Sequence, residues 1–381
     1  MGAFWKEDWD RARENLLKWW ELEGPAISVM APKDEVWADL PPPERELPFS
    51  QPTNPRTPLP AGRADAFPVP DDPAAMWTAP EVRFRAAEYR MAHTFFGGEA
   101  FPYFDPHLGP GSLAAFIGSK PSFSETDSWY TPAMADLEGA PPLEFDEGNP
   151  WFRRQMALVE HGVRHARGRF LVALPDLLEN VDVLAALRGT TEILLDMALR
   201  PEAVRRRVGE INAVFFEVFD RMHGLIRDEH GGNCISSFDV WGPGRTAKVQ
   251  VDAGAMFSAE MFADVVLPGL AEQCARLDYA MFHLDGSQCL QHLDHILSIE
   301  GIRAVEWTPE FGQPGGGDPK WYDLYRRIKK AGKAVQAIWI KPEEIDPLLE
   351  AVGPEGMLLY IRVETEAEAR RLLERCEKWY R

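Results

Sequence analysis

Met281-Phe282-His283-Leu284-Asp285-Gly286 is the stretch that decides how the chain is read. An apolar run gives way to alternating polar residues and stops at glycine. Residues two apart on a strand face the same side, so a strand here makes His283 and Asp285 converge on one point at its carboxyl end. Around this stretch, short β-rich runs alternate with long amphipathic segments, the signature of a parallel sheet with crossover helices. Eight such runs are found, at 26–30, 100–104, 170–174, 234–238, 280–283, 303–306, 335–339 and 357–363. Helices follow the later ones at 258–277, 290–297, 321–331, 342–352 and 364–379. Ser258 stands at an N-cap position, and Gly332 and Gly353 stand where helix ends favour a left-handed residue.

Eight strands with intervening helices close into a (β/α)8 TIM barrel of the α/β class; an open doubly wound sheet reads similarly. Trp9, Ala12, Leu16, Trp19 and Trp20 recur at helical spacing over 8–22 and stop at Gly24-Pro25, giving an amino-terminal helix. Over 41–80, prolines recur without apolar period, which predicts an irregular arm lacking helix and ladder, wrapped on the surface or serving as a lid. The expected organisation is one domain overall. Residues 1–99 supply the helix, first strand and Pro-rich arm, and residues 100–381 the remainder of the barrel.

Of the 381 residues, 45% are hydrophobic and 27% charged, enough for a large core without disulfides or structural metal. A net charge of −19 opposes binding to nucleic acid or anionic lipid. Cys234, Cys274, Cys289 and Cys376 form no CxxC pair, which suits free thiols in a reducing cytoplasm. The opening Phe4-Trp5-Lys6-Glu7-Asp8-Trp9 does not read as a signal peptide, and no apolar stretch is long enough to span a bilayer. No GxGxxG or GxxxxGK[ST] follows a strand, so a nucleotide cradle has no support.

Barrels carry their chemistry at the carboxyl ends of the strands. Those positions here hold Asp105 and His107, Asp176 and Glu179, Asp239 and Trp241, His283 and Asp285, Glu306 and Trp307, and Arg362 with Glu364. His283 and Asp285 suit metal binding or proton transfer, since histidine titrates near neutrality and a carboxylate fixes its tautomer. The structural alternative is that His283 makes a capping hydrogen bond and Asp285 starts the next helix. Asp239 precedes Gly242 and Gly244, which allow close approach of backbone to ligand or simply form a turn. Gln250 and Asp252 project from one face of 249–252, either towards the same mouth or to solvent from an extended segment. Glu306 and Trp307 resemble a carboxylate-plus-aromatic sugar site, followed by a Gly-rich loop carrying Gln313. His292 with His295, and His161 with His165, read as exposed helix faces.

At Val249-Gln250-Val251-Asp252, Ser258-Ala259-Glu260-Met261-Phe262, Val266-Leu267-Pro268 and His283-Leu284-Asp285-Gly286, the sequence resembles the uroporphyrinogen decarboxylase superfamily. Ala186-Leu187-Arg188-Gly189 and Leu195, Leu199, Arg200 and Pro201 fall in matching places. The resemblance implies a (β/α)8 barrel and either decarboxylation of uroporphyrinogen or zinc-dependent methyl transfer between corrinoid and thiol. The decarboxylases' Arg-x-x-Gly-Arg element is missing, its region reading Val29-Met30-Ala31-Pro32-Lys33-Asp34, so the methyltransferase branch is nearer. That branch binds zinc through His-x-Cys and a late-strand cysteine, whereas this chain has His283-x-Asp285 and no cysteine over 357–363. Carboxylate in place of thiolate makes a harder site for zinc or another divalent metal. The expected metal ligands are therefore His283 and Asp285, with His283, Asp285, Asp239 and Glu306 catalytic. The expected substrate contacts are Asp105, His107, Asp176, Glu179, Trp241, Gln250, Asp252, Trp307, Gln313 and Arg362. The expected partners are a small-molecule substrate, a corrinoid-bearing protein and a second copy of the chain in a homodimer. A metal-free lyase, decarboxylase or hydrolase acting on a sugar-like or carboxylated molecule, or a non-catalytic binding barrel, is the alternative.

Overall fold

Helix α1 (Trp9–Trp20) buries Ala12, Leu16, Trp19 and Trp20, the stripe its spacing predicts. Both indoles also reach backbone, with Trp19 Nε1 donating to Val335 O at 3.1 Å and Trp20 Nε1 to Trp241 O at 3.0 Å. Val335 lies near the start of its strand, so α1 packs across the amino-terminal end of the sheet and leaves the carboxyl end open. The computed structural model describes residues 4–45, 47 and 63–381. The part of the Pro-rich arm at 46 and 48–62 lies outside the described residues.

Thirteen strands occur among the described residues: β1 (Ala26–Pro32), β2 (Thr94–Gly98), β3 (Tyr103–Phe104), β4 (Lys120–Phe123), β5 (Ser128–Thr131), β6 (Leu171–Val172), β7 (Asn233–Ile235), β8 (Val240–Gly242), β9 (Thr246–Gln250), β10 (Tyr279–Asp285), β11 (Ile302–Thr308), β12 (Ala334–Ile340) and β13 (Met357–Arg362). Seven form one sheet in the order β2-β1-β13-β12-β11-β10-β9. Every pair in it is parallel except β1 with β2. With helices interspersed along the chain, the architecture is α/β.

Each of the eight expected runs contains a strand, but they are not equal. β1, β10, β11, β12 and β13 belong to the large sheet, while β3, β6 and β7 shrink to two or three residues. β3 pairs with β6 in parallel, and Leu174 bridges to Ile235 in parallel. β2 and β9 were not among the eight. In β2 the cause is glycine: Gly98 sits at φ +59° and a Cβ there would lie 2.0 Å from Ile27 O, so only glycine lets the two strands approach.

The later helices begin and end where the capping signals place them. Ser258 Oγ accepts from Met261 N at 3.2 Å, and Gly332 and Gly353 adopt φ of +75° and +87°. The Pro-rich arm departs from expectation, since Pro73–Thr78 is a helix and Pro80–Ala92 begins another. Proline at a first helical turn lacks only an N–H that would be unpaired anyway, and Asp72 caps Ala75 N at 3.0 Å. The recurrence of proline thus marks helix starts here as well as irregular chain. Phe67, Val69, Met76 and Trp77 form a small satellite core with Leu47 and Ala86.

Register places the polar residues. Gln250 pairs with His283, His283 with Glu306, and Glu306 with Gln336, so four polar side chains form one row across β9, β10, β11 and β12. Replacing Trp19 by alanine removes a fully buried ring and its hydrogen bond at the closed end. Equilibrium urea unfolding of Trp19→Ala is expected to show a loss of about 3–5 kcal/mol, and a loss below about 1 kcal/mol would contradict the closing role of α1.

Candidate functional site

Glu306 is fully buried at the centre of the polar row. An unpaired carboxylate there would be costly, and two side chains meet the need. His283 Nδ1 lies 2.5 Å from Glu306 Oε2, and Thr308 Oγ1 donates to Glu306 Oε1 at 2.8 Å. Burial alone would lower the pKa of His283, but the Glu306 charge and hydrogen bond, with Asp252 beyond, raise it. Nε2 then faces Asp252 Oδ1 at 4.0 Å. Ligand atoms of Asp252, His283 and Asp285 lie within 4.8 Å of one another. Neighbouring ligands of a tetrahedral ion with bonds near 2.1 Å sit about 3.4 Å apart, so closing on an ion requires a small movement of the Asp252 carboxylate, which is 44% exposed and accepts from Gln250 Nε2 at 2.7 Å.

A buried lysine organises the carboxylates beneath. Lys248 Nζ donates to Asp176 Oδ1 at 2.7 Å and to Gln250 Oε1, and lies 3.9 Å from Glu179 Oε2. Burial would depress the Lys248 ammonium, yet Asp176 and Glu179 outweigh it and raise its pKa. Lys248 likewise overcomes burial at Asp176 and holds that carboxyl below its usual range. Glu179 is pushed well above its usual value by burial, with Asp176 and its other acidic neighbours adding to the shift. Asp182 accepts from Asp252 N at 2.8 Å and Ala253 N at 3.0 Å, fixing the backbone that carries Asp252. Burial and Asp182 together raise Asp252 to about 6.

Beside this group opens a cleft of about 770 Å³ whose lining includes Asp105, His107, Asp176, Asp239, Gln336, Tyr360 and Arg362. Phe238 joins the two regions, lining the cleft and packing on the His283 ring at 4.7 Å between centroids. Asp239 takes a left-handed φ of +56° in the turn between β7 and β8 and accepts a hydrogen bond from Tyr103. Burial raises Asp239, while the Tyr103 and Tyr360 hydroxyls and Arg362 pull it back. Burial raises Asp105 to about 7 against the opposing charge of Arg83.

The cleft therefore holds Asp105, His107, Asp176, Asp239 and Arg362, and the His283 group holds Asp252, Asp285 and Glu306 with Gln250 alongside. Glu179 lies deeper, beside Lys248. Three expected contacts fall elsewhere. Trp307 packs on Trp321 at 4.8 Å, because it alternates with Glu306 and so faces the opposite side of β11. Trp241 donates to Asp228 at 2.8 Å, since β8 runs antiparallel to β7 and carries it back towards α1. Gln313 sits on an exposed loop and accepts from Lys320. His292, expected on an exposed face, is buried against Phe262 with its Nε2 2.8 Å from Gly254 O. Cys289 is buried near Asp252 and Asp285, where burial pushes its thiol up to about 12. Residues not singled out from sequence are Lys248, Asp182, Tyr103, Gln336 and Tyr360. Alternation offered a signal for two: Lys248 shares a strand face with Gln250, and Gln336 is a lone polar residue in an apolar strand.

No family model matches the sequence, and no curated protein matches it. In structure the chain is similar to a methyltransferase from Methanosarcina mazei, with a TM-score of 0.55 at 10% identity, covering 81% of this chain and 88% of that one. The likeness is one of fold. No helix among the described residues is long and apolar enough to cross a membrane.

Because folding favours the protonated form of Asp105, its contribution to stability is present at low pH. It is lost as pH rises from the unfolded value of about 3.9 through the folded value of about 7. The wild type should therefore lose stability relative to Asp105→Asn by up to about 1.4 kcal/mol per pH unit across that window. Chemical unfolding at pH 4, 5, 6 and 7 measures it, and parallel curves for the two proteins would contradict the shift.

Proposed function

We propose that the chain is an enzyme built on a (β/α)8 barrel that transfers a methyl group, with a divalent metal held by Asp252, His283 and Asp285. Ring closure is supported by side chains that reach the turn after β7 from different strands. Tyr103 on β3 donates to Ser236 O at 2.7 Å, and Gln336 on β12 donates to Phe238 O at 2.7 Å. The short β3, β6 and β7 then complete the circuit that the large sheet begins.

The observation that carries the chemistry is the orientation of His283. Glu306 engages Nδ1, which leaves Nε2 to face Asp252, the arrangement in which a carboxylate orients a metal-ligating histidine from behind. A divalent ion held by Asp252, His283 and Asp285 would supply Lewis acidity, by which a substrate group could act as a nucleophile near neutral pH. The donor set of one nitrogen and carboxylate oxygens is hard, which favours an oxygen-bearing substrate over a thiol and admits zinc or another divalent metal. Asp182 positions Asp252, and Lys248 limits the negative charge that accumulates behind it. The cleft would hold the substrate beside His283, and a corrinoid carried by a partner protein would deliver the methyl group to that substrate or accept it from it. Assembly as a homodimer in the cytoplasm completes the reading.

Metal-free acid–base chemistry on a small polar substrate is the second reading, favoured by Asp105 at about 7 in the same cleft as Asp239. A non-catalytic barrel is disfavoured, since the cleft is open and His283 is held by a carboxylate rather than by backbone.

Zinc titration of the purified chain by calorimetry distinguishes the two catalytic readings. One ion per chain is expected for the wild type, binding is expected to be lost in His283→Ala and Asp285→Ala, and Glu306→Gln should bind about 10–100-fold more weakly. Uptake by all three variants as tight as in the wild type would overturn the metal reading.

A further inference from the structure

The cleft beside His283 has a lining whose chemistry selects among ligands. Four carboxylates, Asp105, Asp127, Asp176 and Asp239, face it against a single guanidinium, Arg362. Asp176 is paired with Lys248, and Arg362 donates through Nη2 to the Tyr360 hydroxyl at 3.3 Å with Asp239 close by, while its Nε has no hydrogen-bond partner among the described residues, so the acidic groups outnumber this one guanidinium without cancelling it. Gln336 is 1% exposed, and its Oε1 has no hydrogen-bond partner among the described residues, an acceptor left over at the cleft wall. Aromatic surface supplies the rest. Trp77, Phe238 and Trp339 line the same space.

Trp339 is the informative one. Its side of β12 slips out of register between Ala337 and Ile340, its φ is +56°, and the residue remains 58% exposed. A non-glycine residue in that conformation is strained, and strain of this kind persists where the surroundings enforce it. Here Gly315 and Gly316 press against the bulge, a Cβ at Gly315 falling 2.4 Å from Trp339 O, and Gly316 N donates to Ile338 O at 3.0 Å. The strand thus gives up two residues of pairing to present an indole at the cleft, and among the described residues that indole stacks on no other ring and covers no cation.

From this juxtaposition we infer that the cleft binds an organic ammonium ion, its charge held over Trp339 and facing the carboxyl groups of Asp105 and Asp239. Aromatic faces and carboxylates both attract a weakly hydrated cation. The inference rests on the methyl-transfer reading and deepens it by placing an ammonium group on its oxygen-bearing substrate, but binding of the cation itself needs no metal.

The test is calorimetric binding of three probes to the full chain in chelator-containing buffer: benzyltrimethylammonium, benzyl alcohol and benzoate. The ammonium ion is expected to bind saturably and at least about tenfold more tightly than the other two, and Trp339→Ala is expected to weaken it by roughly tenfold. Phe311→Ala, which removes a fully exposed aromatic outside the cleft, serves as the control and is expected to leave binding unchanged. Equal or tighter binding of the alcohol or benzoate, no saturable binding of the ammonium ion, or an unchanged affinity in Trp339→Ala would overturn the inference. Because the metal is absent throughout, any of these results leaves the zinc titration to decide the metal site separately.

Discussion

The hydrogen bond between His283 and Glu306 is the constraint on which the rest of the site depends. A carboxylate with no exposed surface is tolerated only when its oxygens are matched, and the alternative costs several kcal/mol. Glu306 is matched by one neighbour across the ladder, His283, and one residue two along its own strand, Thr308. A shift of one residue between β10 and β11 would put Leu284 or Phe282 opposite Glu306 and strand the charge in the core. The pair therefore fixes the register of the central strands as well as the ring of His283. Orientation of Nε2 towards Asp252 follows from a requirement of folding.

Behind that pair the protein balances an acidic interior with one lysine. Asp176, Glu179, Asp182 and Asp252 gather around Lys248 and Gln250, and burial keeps the carboxyls with weaker partners protonated to higher pH than usual. Charge accumulates less than the count of acids suggests. The backbone shows the same concentration of effort. Leu178, Asn180, Asp239 and Trp339, four of the six non-glycine residues with positive φ among the described residues, belong to the segments around the cleft and Lys248. Strain stored beside a pocket and held by the surrounding fold is the pattern of a preorganised site.

Much of this was legible in the sequence because strand period and helix caps are local properties. Hydrophobic runs located all eight expected strands, Ser258 announced its helix, and the His283-x-Asp285 spacing placed both side chains on one face. What escaped was set by tertiary geometry. β2 hid behind Gly97-Gly98, whose small size is what permits the pairing with β1. Trp241 and Trp307, expected as substrate contacts, stand near Asp239 and Glu306 in sequence, but adjacent residues on a strand face opposite ways, and β8 reverses direction after Asp239. Glu306 was visible as a strand-end acid; its partnership with His283 was not, since register between neighbouring strands has no signature in one chain's periodicity.

In the proposed site a divalent metal is held by His283 and carboxylates, with no thiolate. X-ray absorption at the zinc edge of the zinc-loaded protein tests it most directly. A first shell of nitrogen and oxygen at about 2.0–2.2 Å is expected, with outer-shell scattering from one imidazole and no sulfur. A sulfur scatterer at about 2.3 Å, as Cys289 would provide, or a spectrum of hexa-aqua zinc without imidazole, would contradict it.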